Sequence, residues 1–172
     1  MALSTSVNLS ACQVQQPTLV TDVARALRES GVDPRCIELE ITESVAMQDA
    51  ETTITMLQQL RALGVHLAID DFGTGYSSLR YLQRFPVDVL KIDRAFVAGL
   101  RWDNAEASMV HAVVSLGHAL GLMVVAEGVE TAEQSHQLHA LGCDLGQGYY
   151  FAKPLPREQA EAYIRRQHQD VA

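Results

Sequence analysis

Short apolar runs alternate with helix-spaced segments along almost the whole chain, and this alternation limits the possible folds more than any other feature. The runs Ser6-Val-Asn-Leu9, Ile37-Glu-Leu-Glu-Ile41, His66-Leu-Ala-Ile-Asp70, Val87-Asp-Val-Leu-Lys-Ile92, Leu122-Met-Val-Val-Ala126 and Gly148-Tyr-Tyr-Phe-Ala152 read as strands, mostly buried on both faces. Between them, apolar residues recur at helical spacing: Leu19, Val23 and Leu27; Ile54, Leu57 and Arg61 beside Met56, Leu60 and Leu63; Met109, Val113, Leu116 and Leu120. Gly31, Gly64, Gly121 and Gly142 follow the last periodic residue of each helix, where a left-handed cap favours glycine. Thr131-Ala-Glu-Gln134 reads as a capping box, and Pro156 suits the first turn of a last helix running toward Arg166. About six strands alternating with helices predict a parallel sheet with helices outside, closed as a (β/α) barrel or open as a doubly wound sheet. No GxGxxG or Walker A loop follows the first strand, which favours the barrel.

The 172 residues, 48% hydrophobic and 20% charged, suit one globular domain and exclude a disordered tail or a fibre. A net charge of -8 argues against nonspecific nucleic-acid binding, which needs basic side chains to neutralise phosphates. A phosphate ester could bind such a chain only if a metal reversed the local sign. Cys12, Cys36 and Cys143 are odd in number and widely spaced, so they indicate neither a disulfide framework nor a zinc site, and a reducing cytosol fits them. Residues 107–126 carry no charged side chain, yet their apolar period changes at Gly121, as expected of a helix followed by a buried strand rather than a membrane span. No basic region with an apolar core opens the sequence, so a signal peptide is not expected.

The strands end on polar residues. Asn8 closes the first, Glu40 and Glu43 the second, Asp70 and Asp71 the third, Lys91 and Asp93 the fourth and Glu127 the fifth, while Gln147 opens the last. A single such acid is ordinarily a helix cap or a solvated loop residue. In a parallel barrel, however, all strand C-termini converge on the face where these folds build their sites. Crowded acids call for hard cations, and oxygen ligands without Cys or His suit magnesium, manganese or calcium. Strand alternation sends Asp70 and Asp71 in different directions, so one could bridge two ions while the other binds one. Two ions, roughly 3.5–4 Å apart in known sites, activate water and stabilise a leaving oxygen in phosphoryl displacement. Lys91 could steady that water; as a purely structural residue it would pair with a neighbouring acid. The glycines of Phe72-Gly-Thr-Gly-Tyr-Ser-Ser78 allow a mobile lid beside the acids.

Glu38-Leu-Glu-Ile-Thr-Glu43, Asp70-Asp-Phe-Gly-Thr-Gly-Tyr-Ser-Ser78, Leu90-Lys-Ile-Asp93, Ala126-Glu-Gly-Val-Glu130 and Gly146-Gln-Gly-Tyr-Tyr-Phe-Ala-Lys-Pro154, preceded by Val7-Asn-Leu-Ser10, resemble the motif series of the EAL-domain family in its order. The resemblance implies a bacterial, cytoplasmic cyclic di-GMP phosphodiesterase on a TIM-like barrel, releasing linear pGpG with two Mg²⁺ or Mn²⁺ ions. By the same resemblance, Asn8, Glu40 and Asp70 hold the first ion. Asp70 bridges to the second, with Asp71 and Glu127. Lys91 holds the nucleophilic water, and Gln147, Asp93, Phe151 and Pro154 face the substrate. Glu43 anchors the lid formed by Phe72, Gly73, Thr74, Gly75, Tyr76 and Ser77, which also serves the family's homodimer contact.

The Glu-Ala-Leu motif that names the family is absent from these residues, and with it one ligand of the first ion. A complete (β/α)8 barrel takes about 250 residues. The expectation is therefore one partial EAL domain over 1–172, truncated at its N-terminal side, with a motif-bearing core at about 6–155 and a C-terminal helix at about 156–168. About six of eight strands leave two open edges, which self-association or an altered barrel would cover. A longer parent would carry a sensory or GGDEF-type domain. Two other functions fit these residues: a non-catalytic cyclic di-GMP-binding or interaction module, and an enolase-type metal barrel in which Lys91 abstracts a proton beside a carboxylate. The glycine loop and the Gln147 motif favour phosphodiester chemistry over proton abstraction. His136 and His139 fall on an outer helix as surface or core residues, and Trp102 reads as a packing or interface residue.

Overall fold

The architecture was obtained as a computed structural model and is described for residues 3–73, 79–102 and 104–169. Six strands pair in sequence order, all parallel: β1 (Thr5–Asn8), β2 (Ile37–Thr42), β3 (His66–Phe72), β4 (Val89–Ile92), β5 (Met123–Ala126) and β6 (Leu145–Gly146). Parallel neighbours need a crossover, and helices supply it. α1 (Ala11–Val14) and α2 (Leu19–Ser30) follow β1; α3 (Glu43–Gln48) and α4 (Ala50–Ala62) follow β2; α5 (Leu79–Leu82) follows β3. α6 (Arg94–Ala98) and α7 (Ala105–Ala119) follow β4, α8 (Ala132–Ala140) follows β5, and α9 (Arg157–Gln169) follows β6. The result is a half-barrel with helices outside.

Period-two alternation divides the sheet. Leu39, Ile41, Leu67, Ile69, Leu90, Ile92, Val124 and Ala126 form the outer core with Leu57 and Leu60 of α4, Val110 and Val114 of α7, and Leu138 of α8. Each such Leu, Ile or Val contributes roughly 1.5–3 kcal/mol of apolar burial. The alternate positions carry Glu40, Asp70 and Lys91, whose burial therefore has to be balanced by charge rather than by apolar contact.

Two aspartates tie the strands together at their N-terminal ends. Asp88 donates its backbone N–H to the Leu67 carbonyl at 2.8 Å and accepts the Leu67 N–H on its carboxylate at 3.1 Å. Asp144 repeats the arrangement on Val124, at 3.1 and 2.7 Å.

The helix stops lie where glycine marks them, with positive φ at Gly31, Gly64, Gly121 and Gly142, and Thr131 closes a full capping box with Gln134. Three expectations are corrected. β1 is exposed along its length and Leu145 in β6 is 55% exposed, because each of these strands has a neighbour on one side only. The buried face of α7 is Val110, Val113, Val114 and Gly117, and Met109 turns outward. The run Gly148–Ala152 is not a strand. β6 ends at Gly146, Gln147 follows it, and the Tyr150 N–H donates back to the Val129 carbonyl at 2.9 Å, turning the chain. Gly148 permits that approach, since a Cβ there would fall 2.1 Å from the Val129 carbonyl oxygen. Among the described residues no helix is long and apolar enough to cross a membrane, and 107–126 divide between α7 and β5. His136 and His139 are exposed on α8, and the half-exposed Trp102 meets the His136 ring edge-on at 6.1 Å between centroids.

Candidate metal centre

β3 does not leave the sheet regularly. Its register with β4 shifts between Ile69 and Phe72, and Asp71 takes φ 54, a left-handed conformation costly for a residue with a Cβ. The Asp71 N–H donates to Asp70 Oδ1 at 2.9 Å. Plain alternation would part the two side chains, but the bulge brings them to the same mouth. One carboxylate oxygen each from Asp70, Asp71 and Glu127 lies within 4.8 Å of the others.

Lys91 enters this group from β4. Its Nζ lies 2.5 Å from Glu127 Oε1, 2.6 Å from Glu40 Oε1 and 3.9 Å from Asp70 Oδ1, with the side chain 4% exposed. Burial alone would lower its pKa; hydrogen bonds to Glu127 and Glu40 outweigh that and raise it, so the ammonium is fixed as a cation. The acids remain in excess. Burial, a hydrogen bond with Asp93 and repulsion from Asp70, Asp93 and Glu127 push the Asp71 carboxyl up to about 6. Glu127 is also raised, mainly by burial, although Lys91 opposes the shift. Three convergent carboxylates, two of them raised chiefly by burial, suit a hard divalent cation, which would also relieve their mutual repulsion.

Glu43, 1% exposed at the start of α3, accepts the Gly73 N–H on Oε2 at 2.8 Å across 30 residues of sequence. Phe72 is buried beneath. Thr74, Gly75, Tyr76 and Ser77 lie outside the described residues. Asp93 leaves β4 and caps α6, accepting the Ala95 N–H at 2.7 Å.

The other expected site residues are more dispersed. Asn8 is exposed, in register with Glu40 on the neighbouring strand. Gln147 is exposed beyond β6, Phe151 is 45% exposed with its ring against Tyr150, and Pro154 is exposed ahead of α9. The structure thus brings together Glu40, Asp70, Asp71, Lys91, Asp93 and Glu127, whereas Asn8, Gln147, Phe151 and Pro154 make no contact with that group among the interactions described, and Phe151 lines a cavity with Ser135, Leu138 and His139 of α8.

A family model described as the EAL domain matches residues 1–154. The chain belongs to the EAL domain family. It is 48% identical over 159 residues, 92% of its length, to the bifunctional diguanylate cyclase/cyclic di-GMP phosphodiesterase MucR of Pseudomonas aeruginosa, of which it covers 23%. Indeed, this EAL chain spans less than a quarter of the length of the first curated relatives it matches. The MucR phosphodiesterase in its cyclic di-GMP complex superposes with a TM-score of 0.89 at 48% identity, covering 91% of this chain and 70% of that one. BlrP1 of Klebsiella pneumoniae, in a complex with manganese and cyclic di-GMP, gives 0.80 at 35% identity over 88% of this chain and 39% of that one.

Proposed function

We propose that this EAL domain hydrolyses one phosphodiester bond of cyclic di-GMP, giving linear pGpG. The observation that carries the reading is the convergence of Asp70, Asp71 and Glu127 on one side of Lys91 at the C-terminal mouth of the half-barrel. Asp70, Asp71 and Glu127 would hold one Mg²⁺ or Mn²⁺ ion, and Asn8 and Glu40 would share a second with Asp70. Such ions supply the charge that draws in a phosphodiester, activate water and stabilise the departing oxygen.

The remaining steps belong to the side chains. Lys91, kept cationic by its acids, orients the attacking water and offers positive charge to the phosphoryl oxygens. Glu43 fixes Gly73, two residues past Asp71. Gln147, Asp93, Phe151 and Pro154 would contact the dinucleotide. The net charge of -8 is compatible with an anionic substrate only because the cations, not basic side chains, attract it. The reading includes a homodimer built on the loop after β3, a sensory or GGDEF-type domain as regulator, and a bacterial cytoplasmic setting.

A second reading, cyclic di-GMP binding without hydrolysis, is favoured by Glu40, which contacts Lys91 at 2.6 Å and is not among the three converging acids. Incubation of the purified chain with cyclic di-GMP and Mn²⁺ or Mg²⁺, with chromatography for pGpG and a calorimetric titration in Ca²⁺, separates the two. Turnover supports the enzyme; binding without turnover supports the module; neither contradicts both.

A further inference from the structure

The short helix α6 touches both strand exits that carry the converging acids. Two residues after Asp71, Gly73 (φ +99) lies so close to α6 that a Cβ would fall 2.8 Å from Cε2 and 3.0 Å from Cζ of Phe96. One residue after Glu127, Gly128 (φ +72) meets the same helix, where a Cβ would fall 2.5 Å from Cβ of Arg94. α6 is itself held at both ends: Asp93 caps its first turn, and Gln134 of α8 donates to the Val97 carbonyl at 3.1 Å. Gln134 also accepts the Glu130 N–H at 2.8 Å, tying down the segment just past Glu127.

We infer that Phe96 is a positioning residue for the metal centre: α6 acts as a spacer between the β3 and β5 exits, and the Phe96 ring sets how far Asp71 stands from Glu127. The contact is one-sided. Gly73 is drawn toward α3 by the Glu43 carboxylate and stopped by the Phe96 ring. With the ring gone, the exit loses its stop and Asp71, already in a costly backbone conformation, relaxes away from Glu127. Residues that orient metal ligands without touching the ion typically change affinity by roughly 10–100-fold when removed.

The inference rests on the metal reading above, and the experiment keeps the two apart. Mn²⁺ alone is titrated calorimetrically into the full chain and into Phe96→Ala, Phe96→Leu and Val113→Ala, with thermal midpoints recorded for each. Val113 is buried in α7 and controls for lost apolar contact. The expected result is Mn²⁺ binding weakened at least about tenfold in Phe96→Ala, largely restored in Phe96→Leu, and unchanged in Val113→Ala despite a lowered midpoint. If the unsubstituted chain does not bind Mn²⁺, the metal reading fails. If it binds and the Phe96 variants bind equally well, or if Val113→Ala loses as much affinity as Phe96→Ala, the spacer role is overturned. Should Phe96→Ala not fold, Phe96→Val, whose side chain is too short to reach Gly73 as the ring does, decides: affinity indistinguishable from the unsubstituted chain contradicts the inference, and a loss in excess of that of Val113→Ala supports it.

Discussion

Lys91 and Glu127 face each other from neighbouring strands, Nζ to Oε1 at 2.5 Å, and the same ammonium reaches Glu40 at 2.6 Å. One cation therefore balances acids from β2 and from the end of β5. Lys91→Met leaves those carboxylates without their cation, a change that costs about 3–5 kcal/mol for a buried pair. Urea denaturation should show that loss in EDTA and a smaller one in Mn²⁺, because a divalent ion takes over the neutralisation. Equal losses in both buffers would disconnect Lys91 from the metal centre.

Metal binding should depend on pH through Asp71. Its carboxyl is pushed up to about 6 by burial and neighbouring acids, and a cation needs the ionised form. Above pH 6 the site is ready. As pH falls through 6, a proton competes for Asp71 and the apparent Mn²⁺ affinity drops, approaching about tenfold per pH unit for one displaced proton. Calorimetric titrations between pH 5 and 8 test this, and Asp71→Asn, which cannot take up that proton, should flatten the profile.

The buried Glu43 carboxylate accepts the Gly73 N–H at 2.8 Å, although Gly73 itself is exposed. Glu43→Ala removes that hydrogen bond, at about 0.5–1.5 kcal/mol, and should lower turnover with stability. Glu43→Gln keeps an acceptor and should retain most of both. Thermal midpoints and pGpG formation in the two variants give the comparison.

Asp144 is shifted in the opposite direction from Asp71. Burial would raise its carboxyl, but the Val124 N–H and the His118 ring, 2.9 Å away, prevail and hold it below the ordinary 3.8. The folded value is depressed, so the stabilisation is complete above the unfolded pKa and is lost as pH falls from about 3.8 through the folded value. The stability difference between the unsubstituted chain and Asp144→Asn should shrink on acidification from pH 6 to pH 3; a constant difference would contradict the assignment.

Gly117 separates local propensity from packing. Alanine is better than glycine inside a helix by up to about 1 kcal/mol, yet a Cβ here would fall 2.4 Å from Cγ2 of Val124, itself fully buried in β5. Overpacking a tight core costs about 1–3 kcal/mol, so Gly117→Ala should destabilise. A raised thermal midpoint would show that α7 can shift away from the sheet.

The strands and their acids were legible because the outer face is apolar at period two while Asn8, Glu40, Asp70, Lys91 and Glu127 break the pattern near the same end of successive strands. The convergence of Asp70 and Asp71 was not legible in its true form. Alternation parts them, and nothing local announces that Asp71 will adopt φ 54 in a bulge. The aromatic run after Gly148 has strand composition but folds as a turn, because its glycine lies against the backbone of Val129, a contact set by tertiary structure. Arg94 and Phe96 carried no motif signal of their own; only the glycines that face them across the fold disclose their place. The α7 stripe was misplaced through Met109, since an apolar residue on a long helix fits two adjacent faces equally well.

The central claim is that Asp70, Asp71 and Glu127 together hold the cation that makes this EAL domain a cyclic di-GMP phosphodiesterase. Initial rates of pGpG formation in Mn²⁺ for the unsubstituted chain, Asp70→Ala, Glu127→Ala and Glu38→Ala test it most directly. Glu38 serves as the control, its carboxylate being engaged by the Ser6 hydroxyl at 2.9 Å, outside the acid cluster. The expected result is turnover by the unsubstituted chain, a near-native rate in Glu38→Ala, and losses in the other two beyond the roughly 10–100-fold that removal of an outer partner costs. Turnover retained in Asp70→Ala, or absent from the unsubstituted chain, would contradict it.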